Sequence, residues 1–393
     1  MVMYTSLLLL FSFFEFGCSY QSYSGHKLLR VVPNGEAQLA ALREMESAVG
    51  FEVDYWTEVG SLTKNYVFAV APTNFPAVAK YMTSKKIDYK ILISDLSKSV
   101  QRSYLDVKNT LAWDRKNIDT FELSKYHSYE EQMAFLRLMA DEYPEYVDLG
   151  SIGKSYESRE IRYVKLVIDP KYGDLLREID IIIIPNVNPD GYEYTRKHDR
   201  MWRKTRSGPL KGCYGVDLNR NFPFKWGYTA SSDNSCSVVF RGQEPLSEIE
   251  SSNMAKFFEA NKKSIKAYVT LHSYGENIIY PNRQKTDSKS DDTNDLKALA
   301  LEAAQAVQDA CGTQYKVGSS SDDLFATSGG SDDYVKSLGV KYVYTLELKP
   351  GSKDSGNTGY YGFHLPPKHI IPAAEEASVA LMTIAKKIAS SDA

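Results

Sequence analysis

"AYVTLHSYGENIIYP", residues 267–281, frames the reading of the whole chain. The run Ala267 to Leu271 is aromatic and β-branched, so it reads as a strand; it ends at His272, and Gly275 then breaks the pattern. An imidazole at the carboxyl end of a buried strand in an α/β protein sits where metal ligands and catalytic bases collect. One histidine does not hold a metal alone, so the reading turns on its partners.

Other strands surround this one. "IRYVKLVI" (161–168), "IDIIIIP" (179–185) and "KYVYTLEL" (341–348) are also apolar in continuous runs, and helical stretches at 246–260, 292–311 and 370–388 separate them. Continuous rather than alternating hydrophobicity predicts an α/β fold, with a mostly parallel or mixed sheet and helices on both faces. Residues 26–94 read differently. Strand-like "KLLRVV", "FEVDYW", "NYVFAV" and "YKILIS" alternate with helical "EAQLAALREMESAV" and "FPAVAKYMTSK" in the order βαββαβ. That is the split pattern of a small α+β ferredoxin-like domain. Residues 95–118 are polar and basic, suiting an exposed connecting helix that a trypsin-like protease would cut at Arg102, Arg115 or Lys116.

Bulk properties exclude several classes. The 393 residues suffice for two domains. A net charge of -3 with 25% charged residues gives no nucleic-acid footprint. "SLLLLFSFF" (6–14) is too short to span a bilayer and is followed by Gly17 and Ser19, so residues 1–19 read as a secretory signal. No later segment is apolar enough to cross a membrane, and a secreted, extracellular monomer is expected. Of the four cysteines, Cys18 lies in the signal. Cys213 and Cys236 flank one loop-rich segment and are the disulfide candidates; the alternative is that they are reduced packing residues. Cys311 is expected to be a buried small hydrophobe.

Five clusters carry chemistry. "NPDGYEY" (188–194) reads as a turn. "MWRKTR" (201–206) sets Arg203 in a basic loop, "GVDLNRNFP" (215–223) puts Asn219 beside Arg220, and "TSGGSDDY" (327–334) reads as a loop with two carboxylates. "YVYTLELKP" (342–350) is expected to bury Glu347, whose pKa desolvation would raise. Taken singly, all but Glu347 have ordinary explanations as surface or turn residues.

Taken in order, "SIGKSYESREI", "NPDGYEYT", "MWRKTRS", "GVDLNRNF", "LHSY", "SGGSDDY" and "YTLEL" resemble a secreted zinc procarboxypeptidase of the pancreatic A/B type, over nearly the whole chain. The resemblance implies an activation domain at 20–102, a connecting segment at 103–118 and a carboxypeptidase-like catalytic domain at 119–393. It implies a catalytic zinc with His272 as one of three protein ligands, and Glu347 as general base. Arg203 would stabilise the oxyanion, and Asn219 with Arg220 would clamp the terminal carboxylate. Tyr274 would line the groove, and Asp332 would select a C-terminal lysine or arginine. The implied partners are peptide or protein C-termini and an activating trypsin-like protease.

Two positions depart from the family pattern. The tyrosine of its mobile flap falls on Phe325, which removes one hydrogen bond worth about 1–3 kcal/mol where the partner is left buried. More seriously, its other two zinc ligands come from a His-x-x-Glu segment between the strands at 161–168 and 179–185. Here only "DPKYGDLLRE" joins those strands, and no histidine occurs between His127 and His198. "HSYE" (127–130) spells the motif, but Ser128 and Glu131 form a capping box that leaves His127 ahead of its helix. His272 and Glu276 are four apart, yet Gly275 and Asn277 argue against a helix. The chain therefore reads as a metallocarboxypeptidase truncated near 169–171, impaired in hydrolysis, with exposed apolar sheet edges where a strand is lost. The alternative is a non-catalytic relative that still binds peptide C-termini.

Overall fold

Lys27–Val31 (β1), Glu36–Val49 (α1), Asp54–Tyr55 (β2), Tyr66–Val70 (β3), Phe75–Ser84 (α2) and Tyr89–Ile93 (β4) form the N-terminal unit. These positions belong to a computed structural model that describes residues 20–51, 53–57, 65–108, 113–167, 175, 178–228, 230–281, 292–319, 328–351 and 360–391. The signal segment, Phe325 and residues 169–171 lie outside them. The sheet order is β2-β3-β1-β4 with antiparallel pairing, the βαββαβ arrangement read from the sequence. Leu39, Leu42 and Met45 of α1 join Val78 and Met82 of α2 against Leu29, Val31, Tyr66 and Phe68. Gly50 ends α1 in the left-handed conformation, which suits a residue without Cβ. The connecting helix, Ser97–Lys108 (α3), comes next.

The second unit begins with Tyr129–Glu142 (α4). Ser128 caps it, and the Glu131 side chain reaches back to the cap, forming the expected capping box. Val147–Lys154 (β5), Glu160–Leu166 (β6) and Ile181–Ile183 (β7) form one antiparallel sheet in that order. Ala267–Ser273 (β8), Asn277–Tyr280 (β9), Lys316–Ser319 (β10) and Tyr342–Leu348 (β11) form another, ordered β10-β9-β11-β8. In it β11 runs parallel to β8, β10 parallel to β9, and β9 antiparallel to β11. The fold is thus mixed α/β, but its sheet is in two pieces among the described residues.

Helices cover both faces. Leu296, Leu299, Ala303 and Val307 of Thr293–Cys311 (α7) and Ala380, Ile384 and Ile388 of Ile370–Ser391 (α9) pack on Ile278, Tyr344 and Leu346. On the other face, Met254, Ala255 and Phe258 of Ile249–Asn261 (α6) and Tyr334 and Val335 of Ser331–Ser337 (α8) meet Val343 and Tyr268.

Four expectations are corrected. "NPDGYEY" is no turn: it opens the helix Pro189–Lys197 (α5), with Asn188 Oδ1 accepting from the Gly191 N–H at 2.9 Å and Pro189 in the first turn. "SGGSDDY" is likewise only partly a loop, because Asp332 and Asp333 lie in the first turn of α8, where carboxylates suit the helix dipole. Cys311 is exposed at the end of α7. Glu347 is half-buried, since β11 emerges from cover at its carboxyl end.

Candidate active site

The parallel register of β8 and β11 places Glu347 beside His272, at the carboxyl ends of both strands. Neighbours in register share a face of the sheet, so the two side chains address the same space. His272 is half-buried, with Nε2 3.1 Å from Thr270 Oγ1. Two residues before Glu347, and therefore on the same face, Thr345 donates from Oγ1 to Asp332 Oδ2 at 2.7 Å. Asp332 is almost wholly buried. A single strand thus ties Asp332 to Glu347.

The arginines are organised by a residue inside "GVDLNRNFP" to which the sequence reading gave no role. Buried Asp217 accepts from Arg203 Nε at 2.9 Å through Oδ2 and from the Asn219 N–H at 3.0 Å through Oδ1. Arg220 Nη1 lies 4.0 Å from the same Oδ2. Asp217, followed by Glu347 and Asp54, holds the Arg203 guanidinium above its usual range. Arg220 is fully buried, donating from Nε to the Ala230 carbonyl at 2.7 Å and from Nη1 to the Asn219 carbonyl at 2.8 Å. A ligand carboxylate would have to compete with those carbonyls for it.

The N-terminal unit lies over this region. Trp56 packs against Phe363 and His364 at ring distances of 5.4 and 5.7 Å. Leu28, Val67 and Ala69 share a cluster with Met201, Tyr274 and Tyr360. Tyr23 donates to Asp199 at 2.6 Å, and the Gln21 N–H donates to the His198 carbonyl at 2.7 Å. A cavity of about 520 Å³ remains between the units, lined by Asp54, Tyr23, Arg203, Lys204 and Arg206. Arg203 keeps 39% of its side chain accessible, which the cavity on which it opens accounts for. Burial pushes the Asp54 carboxyl up to about 6, although the Trp56 indole and Arg203 favour its charged form. Burial, then Tyr360, Asp54 and Glu347, push the Tyr274 phenol well up; Tyr360 donates to its hydroxyl at 2.9 Å.

The donors among the described residues do not make up a three-ligand zinc site. Among the described residues no group of three or more His, Cys, Asp or Glu side chains could hold a metal ion. The His-x-x-Glu look-alike is used structurally: His127 Nε2 meets the Glu122 carbonyl at 2.8 Å, and its ring stacks on Phe121 at 3.8 Å. Glu276 lies just past the strand end at φ 56° and pairs with Lys349 at 3.3 Å. Phe325 lies outside the described residues.

Fold and site together define a mixed α/β scaffold, with a small α+β unit packed against it and a carboxylate–histidine pair at its strand ends. Residues 167–380 match the zinc carboxypeptidase family, and residues 29–103 match the carboxypeptidase activation peptide. The chain is 31% identical to Carboxypeptidase A2 of Mus musculus, covering 97% of this chain and 98% of the relative. To Carboxypeptidase B of Astacus astacus it is 37% identical, over 67% of this chain and 96% of the relative. Among solved structures, Carboxypeptidase A from Helicoverpa armigera superposes with a TM-score of 0.83 at 26% identity, over 94% of this chain and 98% of that one. Thrombin activatable fibrinolysis inhibitor gives 0.78 at 29%, over 93% and 99%. This chain belongs to the zinc carboxypeptidase family. The Mus musculus alignment extends over 418 positions although it takes in 97% of the 393 residues here, so the relative carries residues without a counterpart.

Proposed function

We propose that this chain is a zymogen-type zinc carboxypeptidase relative that grips peptide C-termini ending in lysine or arginine, and that hydrolysis is impaired because two of three zinc ligands are lost. The observation that carries the reading is the retained cluster: Glu347 beside His272, Asp332 bonded to the same strand, and Asp217 holding Arg203 and Asn219.

In this reading Arg220 and Asn219 take the terminal carboxylate, for which a guanidinium fork is suited. Asp332 pairs with a cationic terminal side chain. Arg203 stabilises negative charge on the scissile carbonyl oxygen. Glu347 is placed to move a proton, Tyr274 walls the groove, and Phe325 leaves it without a flap phenol. His272 is the one zinc ligand the chain contributes, and no step is drawn through the metal. Residues 1–19 act as a secretory signal, and 20–102 as an activation domain over the cleft. Residues 103–118 are the segment a trypsin-like protease cuts, and 119–393 are a monomeric catalytic-type unit.

The test is calorimetric titration of the trypsin-treated full chain with a peptide ending in arginine, with and without chelator, beside an assay for released arginine. Binding unaffected by chelator, without release, is the expected result. One zinc per chain with release of arginine would sink the proposal and leave an active carboxypeptidase.

A further inference from the structure

Two strands of this protein have interior character and edge positions. "IDIIIIP" (179–185) places four isoleucines in succession, as a strand covered on both faces and flanked on both sides would. Yet among the described residues β7 is the last strand of its sheet. Val164 and Ile183 are partners in register and share a face, but Val164 is 3% exposed and Ile183 45%; Ile182 is 41% exposed. At β8 the step repeats. Leu346 and its register partner Leu271 are 0% and 50% exposed. Cover is complete one strand inward and stops at both edges.

The two edges border one seam. Ile179, just before β7, joins the same apolar cluster as Ala267 and Val269 of β8. Ile184 and Val187, just after β7, join the cluster of Tyr268 on the opposite face. The helix-covered cores are therefore continuous across the seam, whereas the described backbone is not paired across it. The family match begins at residue 167, just after β6 ends at Leu166, and the aligned relative carries residues with no counterpart in this chain.

We propose that the seam between β7 and β8 is a docking site for one extended segment of another polypeptide, apolar on both faces and about as long as the seven residues of β8, which enters as a strand. Such a segment has two free edges and pairs with both walls. A folded second copy does not: its own β7 and β8 each have one edge committed, to β6 and β11, so it could cap one wall only. Strand docking here is independent of whether the site cleaves peptides.

The experiment titrates the full chain with a C-terminally amidated synthetic peptide. Its sequence is the longest stretch of Mus musculus Carboxypeptidase A2 that has no counterpart in this chain on pairwise alignment. One peptide should bind per chain. Leu271→Lys or Ile183→Lys should each weaken binding at least tenfold, and so should proline at alternate peptide positions, since proline cannot donate to a ladder. Asp332→Asn should weaken a peptide ending in arginine but leave the affinity for this amidated peptide as it was, which separates this site from C-terminus recognition. Where the chain alone is recovered as aggregate, peptide present during refolding should raise the soluble yield severalfold. Absent binding, unchanged yield, or equal affinity in the lysine variants overturns the proposal. A dimer that Leu271→Lys splits would assign the seam to a second copy instead.

Discussion

Asp217 shows how much of this site rests on one carboxylate. It pairs with Arg203, caps the turn Leu218–Arg220 and lies within 4.0 Å of Arg220. In the sequence it is one aspartate ahead of Leu-Asn-Arg, with the composition of any short cap, so nothing marked it as a hub. The positions of Glu347 and His272 at strand ends were legible because both close apolar runs, where a charged or polar group is costly unless used. The role proposed for Asp332 gives a clear test. Asp332→Asn should weaken a peptide ending in arginine by about ten- to hundredfold, the worth of one charge-assisted hydrogen bond, and leave a leucine-ended peptide unchanged. Equal losses for both peptides in a titration would show a packing role only.

At the scale of elements, the capping box at Ser128 was readable because its Ser-x-x-Glu spacing has one physical meaning, and the helix it caps is present. Ser128→Ala should cost about 1 kcal/mol, read as a lower thermal midpoint. The start of α5 was misread because Asn-Pro-Asp-Gly suits a turn and a helix N-terminus equally; the choice is made by Asn188 capping Gly191. The bond between Cys213 and Cys236 closes a loop with a sequence separation of 23 and a Cα distance of 5.1 Å. Replacing both with serine should cost about 3 kcal/mol, measured by denaturant unfolding. An unchanged midpoint in either case would contradict the assigned role.

For the molecule as a whole, continuous apolar strands announced an α/β sheet covered on both faces, and helices do cover both. Its division into two pieces was foreshadowed only by the truncation expected near 169–171, because strand pairing is non-local and no single segment encodes it. Stability should carry a pH signature from Glu250, fully buried and accepting from the Tyr156 N–H at 2.9 Å. Burial, with Glu248 and Asp190 adding, pushes its carboxyl up to about 7 from 4.5. A raised carboxyl favours the folded state below the unfolded value and loses that contribution as pH rises through about 7. Stability should therefore fall between pH 5 and 8 by roughly 3 kcal/mol, and Glu250→Gln should flatten that slope in urea titrations. The central claim is that a peptide-gripping cluster has outlived its metal centre. Zinc content of the trypsin-treated full chain, after dialysis against micromolar zinc, tests it most directly. Far less than one equivalent per chain is the predicted result, and a stoichiometric, tightly held zinc would contradict it.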